Sequence, residues 1–316
     1  MTFGPRFLVT IDTEGDDLWS RPRQITTRNA AYLPRFQALC EAHGLRPTYL
    51  VNYEMALCPE LRDFGRDLLA RGAGEIGMHL HAWCSPPDFP LTADDHHHQP
   101  YLIEYPEPVM AEKVERMTGL LEDTFGVAIA SHRAGRWSFD ERYAQILARR
   151  GYRVDCSVTP HVSWRTSPGD PRRGGGSDFS SFPEHAYFLD LEDIARPGGS
   201  PLLEVPVTIR KRIGGVAWLR PNGRNLRAML GLAEQVRAEG GDYLELMLHS
   251  SELMPGGSPA FPREADIERL CGDLEALFAA IGGAFRGATL AEYHRFKTAG
   301  SAGGPEAPAQ GGQRLP

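Results

Sequence analysis

Seven short apolar, β-branched runs alternate with longer stretches of helical period along most of this chain, and that alternation restricts the fold more than any other feature. The runs span 7–11, 48–52, 75–80, 127–131, 154–158, 203–209 and 243–248. Amphipathic stretches at 29–43, 60–71, 109–125, 138–150, 224–239 and 263–281 each stop at a glycine: Gly44, Gly72, Gly126, Gly151, Gly240 and Gly282. Glycine takes the left-handed conformation that ends a helix without a Cβ clash. Ser138 and Glu141 have the spacing of a capping box. Strands that alternate with helices pair in parallel through right-handed crossovers. A repeat of this length predicts an α/β fold closed into a barrel, with an open doubly wound sheet as the alternative.

Three segments interrupt the rhythm. Residues 84–108 are proline-rich and contain His96-His97-His98; residues 160–186 contain Trp164 and Gly174-Gly175-Gly176; residues 298–316 are Gly, Ala and Pro with little apolar content. The last reads as a disordered tail after a single domain, 1–297. The other two follow predicted strands, which places them at the carboxyl end of a barrel, where such folds keep their sites. The histidine tract sits beside Asp94 and Asp95 in a loop and reads as a solvated face.

A chain of 316 residues fits one barrel. Its net charge of -7 argues against a nucleic-acid surface. Five cysteines, odd in number and without C-x-x-C spacing, predict neither a disulfide framework nor a structural zinc module. A reduced, cytoplasmic setting is expected, since 7–11 is too short for a signal segment and no stretch approaches membrane-spanning length.

Chemistry concentrates at the predicted strand ends. Asp12-Thr13-Glu14 follows the first run and His79-Leu80-His81 ends the third. Spacing of two puts both members of a pair on one face of a strand. Carboxylate and neutral imidazole together suit zinc, nickel, cobalt or iron. Either pair alone reads as an ordinary acidic loop or as half-buried histidines; their joint placement favours a shared ion. His249, after the last run, suits a proton donor near neutral pH. Glu252 either holds that imidazole, meets the substrate or caps the next loop. Arg133 either pairs with Asp12 or balances a local acid cluster. Trp83, Trp137 and Trp164 are candidates for stacking on a sugar ring, with core packing as the alternative.

These pieces occur in an order that resembles the polysaccharide deacetylase superfamily, the NodB-homology or carbohydrate esterase group. The matching segments are Thr10-Ile11-Asp12-Thr13-Glu14, Glu75-Ile76-Gly77-Met78-His79, Arg133-Ala134-Gly135-Arg136-Trp137, Leu246-Met247-Leu248-His249 and Ala288-Thr289-Leu290-Ala291-Glu292-Tyr293. The stretches 131–137 and 157–160 most resemble the intracellular WbmS-like branch, associated with surface-glycan biosynthesis. The resemblance implies a distorted (β/α)7 barrel, one divalent metal ion and removal of an N-acetyl group from an amino sugar or glycan intermediate. It implies Asp12 as base, Arg133 as its partner, His249 as acid, and Glu14 and His79 as metal ligands. Two departures stand out. Thr13 occupies the position of the usual second aspartate, passing the ligand role to Glu14. Trp83 stands four after His79 where the family has histidine, so His81 at spacing two is the expected replacement. An allantoinase-like amidohydrolase and a metal-free carbohydrate-binding or scaffold protein are the rival readings.

Overall fold

The computed structural model describes residues 4–301, and the chain alternates strand and helix as its pattern predicts. The strands are β1 (Arg6–Thr13), β2 (Thr48–Val51), β3 (Glu75–Leu80), β4 (Ser131–Ala134), β5 (Val154–Asp155), β6 (Tyr187–Asp190), β7 (Asp193–Pro197), β8 (Leu203–Glu204), β9 (Ile209–Arg212), β10 (Gly215–Trp218), β11 (Tyr243–His249) and β12 (Arg286–Ala288). The α-helices are α1 (Leu33–Ala42), α2 (Tyr53–Leu57), α3 (Pro59–Ala70), α4 (Asp95–His98), α5 (Glu107–Phe125), α6 (Glu141–Arg150), α7 (Leu226–Ala238), α8 (Glu264–Ile281) and α9 (Leu290–Ser301). Seven strands pair in parallel in the order β11-β1-β2-β3-β4-β5-β8, one for each predicted run. This curled sheet is the expected distorted (β/α)7 barrel. Thr208 spans the seam between β8 and β11: its N–H donates to the Glu245 carbonyl at 3.4 Å, and its hydroxyl accepts from the Glu245 N–H at 2.8 Å.

Period-two alternation sorts side chains into an outer apolar layer and a graded interior. On β1, Phe7, Val9 and Ile11 face the helices, with Phe7 edge-on to Phe278 of α8 at 5.7 Å. Burying each such side chain contributes roughly 1.5–3 kcal/mol. Leu8 faces inward and joins Leu50, Val154, Leu203 and Tyr243 in a dry floor, plugged by Leu290 and Tyr293 of α9. One rung up, Thr10, Arg133 and Glu245 form a hydrogen-bonded layer. At the next rung Asp12 lies in register with His249 of β11, and His79 with Arg133 of β4. The barrel therefore grows more polar toward its carboxyl end.

Several boundaries differ from the pattern. The fourth strand is 131–134 rather than 127–131, because its residues are polar and satisfy buried networks instead of apolar surface. The run 203–209 divides into β8 and the start of the β9–β10 hairpin. An unpredicted hairpin, β6–β7, pairs antiparallel against β8. The stretch 29–43 opens as a 3-10 turn before α1. No Ser138–Glu141 capping box forms; Asp140 caps α6 by accepting from the Tyr143 N–H, and the buried Ser138 hydroxyl has no partner. Five of the six helix-ending glycines have positive φ, whereas Gly282 stays right-handed at -59°. The helix α9 runs to Ser301, so residues 298–301 of the expected tail are helical and the remainder lies outside the described residues. Among the described residues, no helix is long and apolar enough to cross a membrane, and all five cysteines are free.

Candidate active site

The loop after β1 is pinned so that Glu14 faces the barrel axis. The Ser250 hydroxyl accepts from the Glu14 N–H and donates to its carbonyl, both at 3.1 Å, and Asn29 Nδ2 donates to that carbonyl at 2.9 Å. The Glu14 carboxylate makes no hydrogen bond among the described residues. It meets two imidazoles instead: Oε2 lies 3.5 Å from His79 Nε2 and 3.3 Å from His81 Nε2. Donors at tetrahedral angles, each about 2.0–2.1 Å from a zinc ion, are roughly 3.3–3.4 Å apart. The three residues are buried, and their donor atoms lie within 4.8 Å of one another.

Protonation fits the same purpose. His79 Nδ1–H donates to the Arg133 carbonyl at 3.0 Å, which leaves the Nε2 lone pair toward Glu14. Burial, reinforced by the neighbouring His79, holds His81 well below the ordinary imidazole pKa and therefore neutral. The buried His81 Nδ1 has no partner; its ring is held by stacking on Trp83 at 4.4 Å and 18°. Gly135 makes room for it, since a Cβ there would lie 2.2 Å from His81 Cδ2. The donor set and its protonation states thus fit a divalent ion.

Beside this triad, Asp12 is divided between two tasks. Its Oδ1 accepts from Arg133 Nη1 at 2.7 Å, while Oδ2 stands 3.8 Å from His249 Nε2 and 4.0 Å from His79 Nε2. Burial alone would raise this carboxyl, but the charge and hydrogen bond of Arg133, helped by His249, hold it far below the usual range. Arg133 is fully buried and anchored on Asp12, Thr10, Glu245 and the Cys156 carbonyl. It is Asp12's partner rather than a general counter-charge. Burial pushes Glu245 up to about 7 despite the opposing charge of Arg133. Burial disfavours the charged His249, yet the Glu14 charge and Glu252 raise its pKa above the usual value.

A cavity of about 290 Å³ opens above these groups, lined by Asp12, Glu14, His79, His81 and His249 together with Trp83, Trp137 and Trp164. All three tryptophans thus reach the cavity, although Trp83 spends one face on His81. Glu252 does not reach it. Its Oε2 accepts from the His249 N–H at 2.8 Å and lies 3.4 Å from His249 Nδ1, which suits it to position the imidazole. The tract 96–98 forms α4, apart from the only metal-competent triad among the described residues.

The cavity also uses residues that the sequence pattern left unmarked: Trp19, Gln99, Tyr101, Arg136, Ser167 and Arg220. All sit on loops at the carboxyl end, where no periodicity marks them. Tryptophan count was the available signal, since Trp19 also lines the wall and Trp218 lies 6.2 Å from Trp137. Gln99, Arg136 and Trp137 line the cavity with φ of 50°, 55° and 62°, a left-handed strain that non-glycine residues bear mostly at functional sites.

No protein-family model matches this sequence, and no curated protein is significantly similar to it. Solved structures are similar in fold. A Mycobacterium smegmatis protein assigned as a polysaccharide deacetylase superposes with a TM-score of 0.59 at 16% identity, over 99% of this chain and 97% of that one. A Parabacteroides distasonis protein assigned as a glycoside hydrolase/deacetylase gives 0.63 at 12% identity, over 94% of this chain and 72% of the other. The barrel is therefore the fold shared by these proteins, as the motif order leads one to expect.

Proposed function

We propose that this chain is a metal-dependent N-deacetylase that hydrolyses the acetamide of an N-acetylated amino sugar, and that its substrate is an intermediate of glycan assembly. The observation that carries this reading is the meeting of Glu14, His79 and His81 beside Asp12, with His249 Nε2 3.8 Å from Asp12 Oδ2 and 3.9 Å from Glu14 Oε1. A zinc ion held by Glu14, His79 and His81 would supply Lewis-acid polarisation of the acetyl carbonyl and an acidified water.

The chain's own residues account for the proton traffic. Asp12 Oδ2 takes the proton that water must lose as it attacks, while Arg133 keeps the carboxylate ionised through Oδ1. An amide nitrogen departs only after it gains a proton, and His249 Nε2 is placed to give one. Glu252 and Arg220 brace the far edge of that imidazole, the latter at 3.1 Å from Nδ1. Tryptophan faces supply apolar walls for the flat, C–H-rich side of a sugar ring.

The test is acetate release from N-acetylated sugars by the zinc-loaded protein, with ammonia followed in parallel. Acetate without ammonia supports the reading. Hydrolytic ring opening of a cyclic ureide offered in parallel, with no acetate from the sugars, would move the assignment to an amidohydrolase of the allantoinase kind. His249→Ala should lower turnover ~100-fold while zinc content stays stoichiometric; loss of zinc in that variant would reassign His249.

A further inference from the structure

The cavity contains more positive charge than removal of an acetyl group requires. Asp12 is balanced by Arg133, and Arg220 by Glu252 at 3.0 Å. Glu14 would be balanced by the metal ion. Arg136 is in no direct ion pair: it lines the cavity, donates to the carbonyls of His98, Gln99 and Pro168, lies over the Tyr101 ring at 4.2 Å, and has Glu104 as a more distant opposing charge. Burial, together with the nearby positive charge of Arg21, disfavours its protonation. Arg21 likewise has only a carbonyl partner, that of His97 at 2.7 Å. Two guanidiniums, one exposed and one lining the cavity, thus repel one another in a chain whose net charge is -7.

Arg220 adds direction. Its Nη2 is fixed by Glu252 and His249, whereas Nε and Nη1 make no hydrogen bond to any described residue. A guanidinium fork locked at one corner, with its other donors unused beside a cavity, is suited to an oxyanion. The cavity, about 290 Å³, is large enough to admit an amino-sugar ring.

Building on the deacetylase reading, we propose that the substrate is an N-acetylated sugar bearing an anionic group, phosphoryl or carboxylate, and that Arg136 and Arg220 hold that anion. A neutral polymer interior would leave Arg136 without an ion-pair partner and the free Nε and Nη1 donors of Arg220 without an acceptor. A charge-assisted contact to each is worth roughly ten-fold to a hundred-fold in affinity.

The experiment compares N-acetylglucosamine, N-acetylglucosamine 1-phosphate and an N-acetylhexosaminuronate on the full-length, zinc-loaded protein, by calorimetric affinity and by acetate release. At least one anionic sugar should bind ~10-fold or more tighter than the neutral one, with the advantage shrinking as salt rises. The arm that wins tells phosphoryl from carboxylate. Arg136→Gln and Arg220→Gln should each cut the advantage ~10-fold, and Arg220→Lys, which keeps the charge, should cut it less. Equal affinity for all three sugars, or an advantage that survives both glutamine variants, overturns the inference; the wild-type comparison decides even if a variant misfolds. Acetate from all three without an anionic preference sinks this inference alone. Anionic preference without acetate from any sugar sinks the deacetylase reading alone.

Discussion

Two buried clusters of histidine and carboxylate lie on opposite faces of the same sheet, and they are built to opposite ends. Outside the barrel, under α6, His132 uses both ring nitrogens: Nδ1 meets Asp155 Oδ1 at 2.5 Å and Nε2 meets the Tyr143 hydroxyl at 2.7 Å. Ser157 donates to the same carboxylate through backbone and hydroxyl, each at 2.9 Å. Inside, Glu14, His79 and His81 approach at 3.3–3.5 Å without a hydrogen bond among their facing atoms, beside a cavity. A buried network whose members hydrogen-bond one another specifies structure; one whose carboxylate and imidazole nitrogens converge without bonding one another has the arrangement of a ligand set.

The contrast can be broken most forcefully at the inner cluster. Glu14→Gln or His79→Ala should abolish stoichiometric zinc and lower acetate release by ~1,000-fold or more, with the melting curve nearly unchanged; retained metal in both would end the distinction. The outer cluster should respond the other way. His132→Ala strands the buried Asp155 charge and should cost about 3–5 kcal/mol in urea unfolding while zinc binding persists. Lost zinc with intact stability would show that the two clusters had been confused.

The hydrogen-bonded layer one rung below the inner cluster offers a pH test. Glu245 binds its proton more tightly in the folded state, at about 7 against an ordinary 4.5, so its stabilisation is complete below the lower value and lost as pH rises through the upper one. Glu245→Gln should therefore flatten the decline in stability between about pH 4.5 and 7, by up to about 3 kcal/mol. An unaltered decline would mean that the proton lies elsewhere. The smallest effect is expected at Trp83→Ala, which frees the His81 ring and should weaken zinc affinity ~10-fold. Unchanged affinity would limit Trp83 to the cavity wall.

What could be read in advance follows the same division. The seven parallel strands were legible because each predicted run carries apolar residues that join the core around the sheet or the barrel floor. Asp12, Glu14, His79 and His81 were legible because period two fixes the face of a side chain once the strand is known. β4 was misplaced because Ser131, His132 and Arg133 are buried through hydrogen bonds, which hydropathy does not register. Arg136 and Arg220 escaped notice for a different reason. Their positions depend on where loops 97–99, 168 and the β9–β10 hairpin return, and that is set by tertiary contacts rather than by local period.

The crowding of indoles at the mouth has an optical consequence. Four of the five tryptophans line one cavity and the fifth touches that wall, leaving none elsewhere to contribute a silent background. The near-ultraviolet emission of the unlabelled protein is therefore almost wholly a signal from this one chamber, and titration with a metal or a sugar can be followed by its own light.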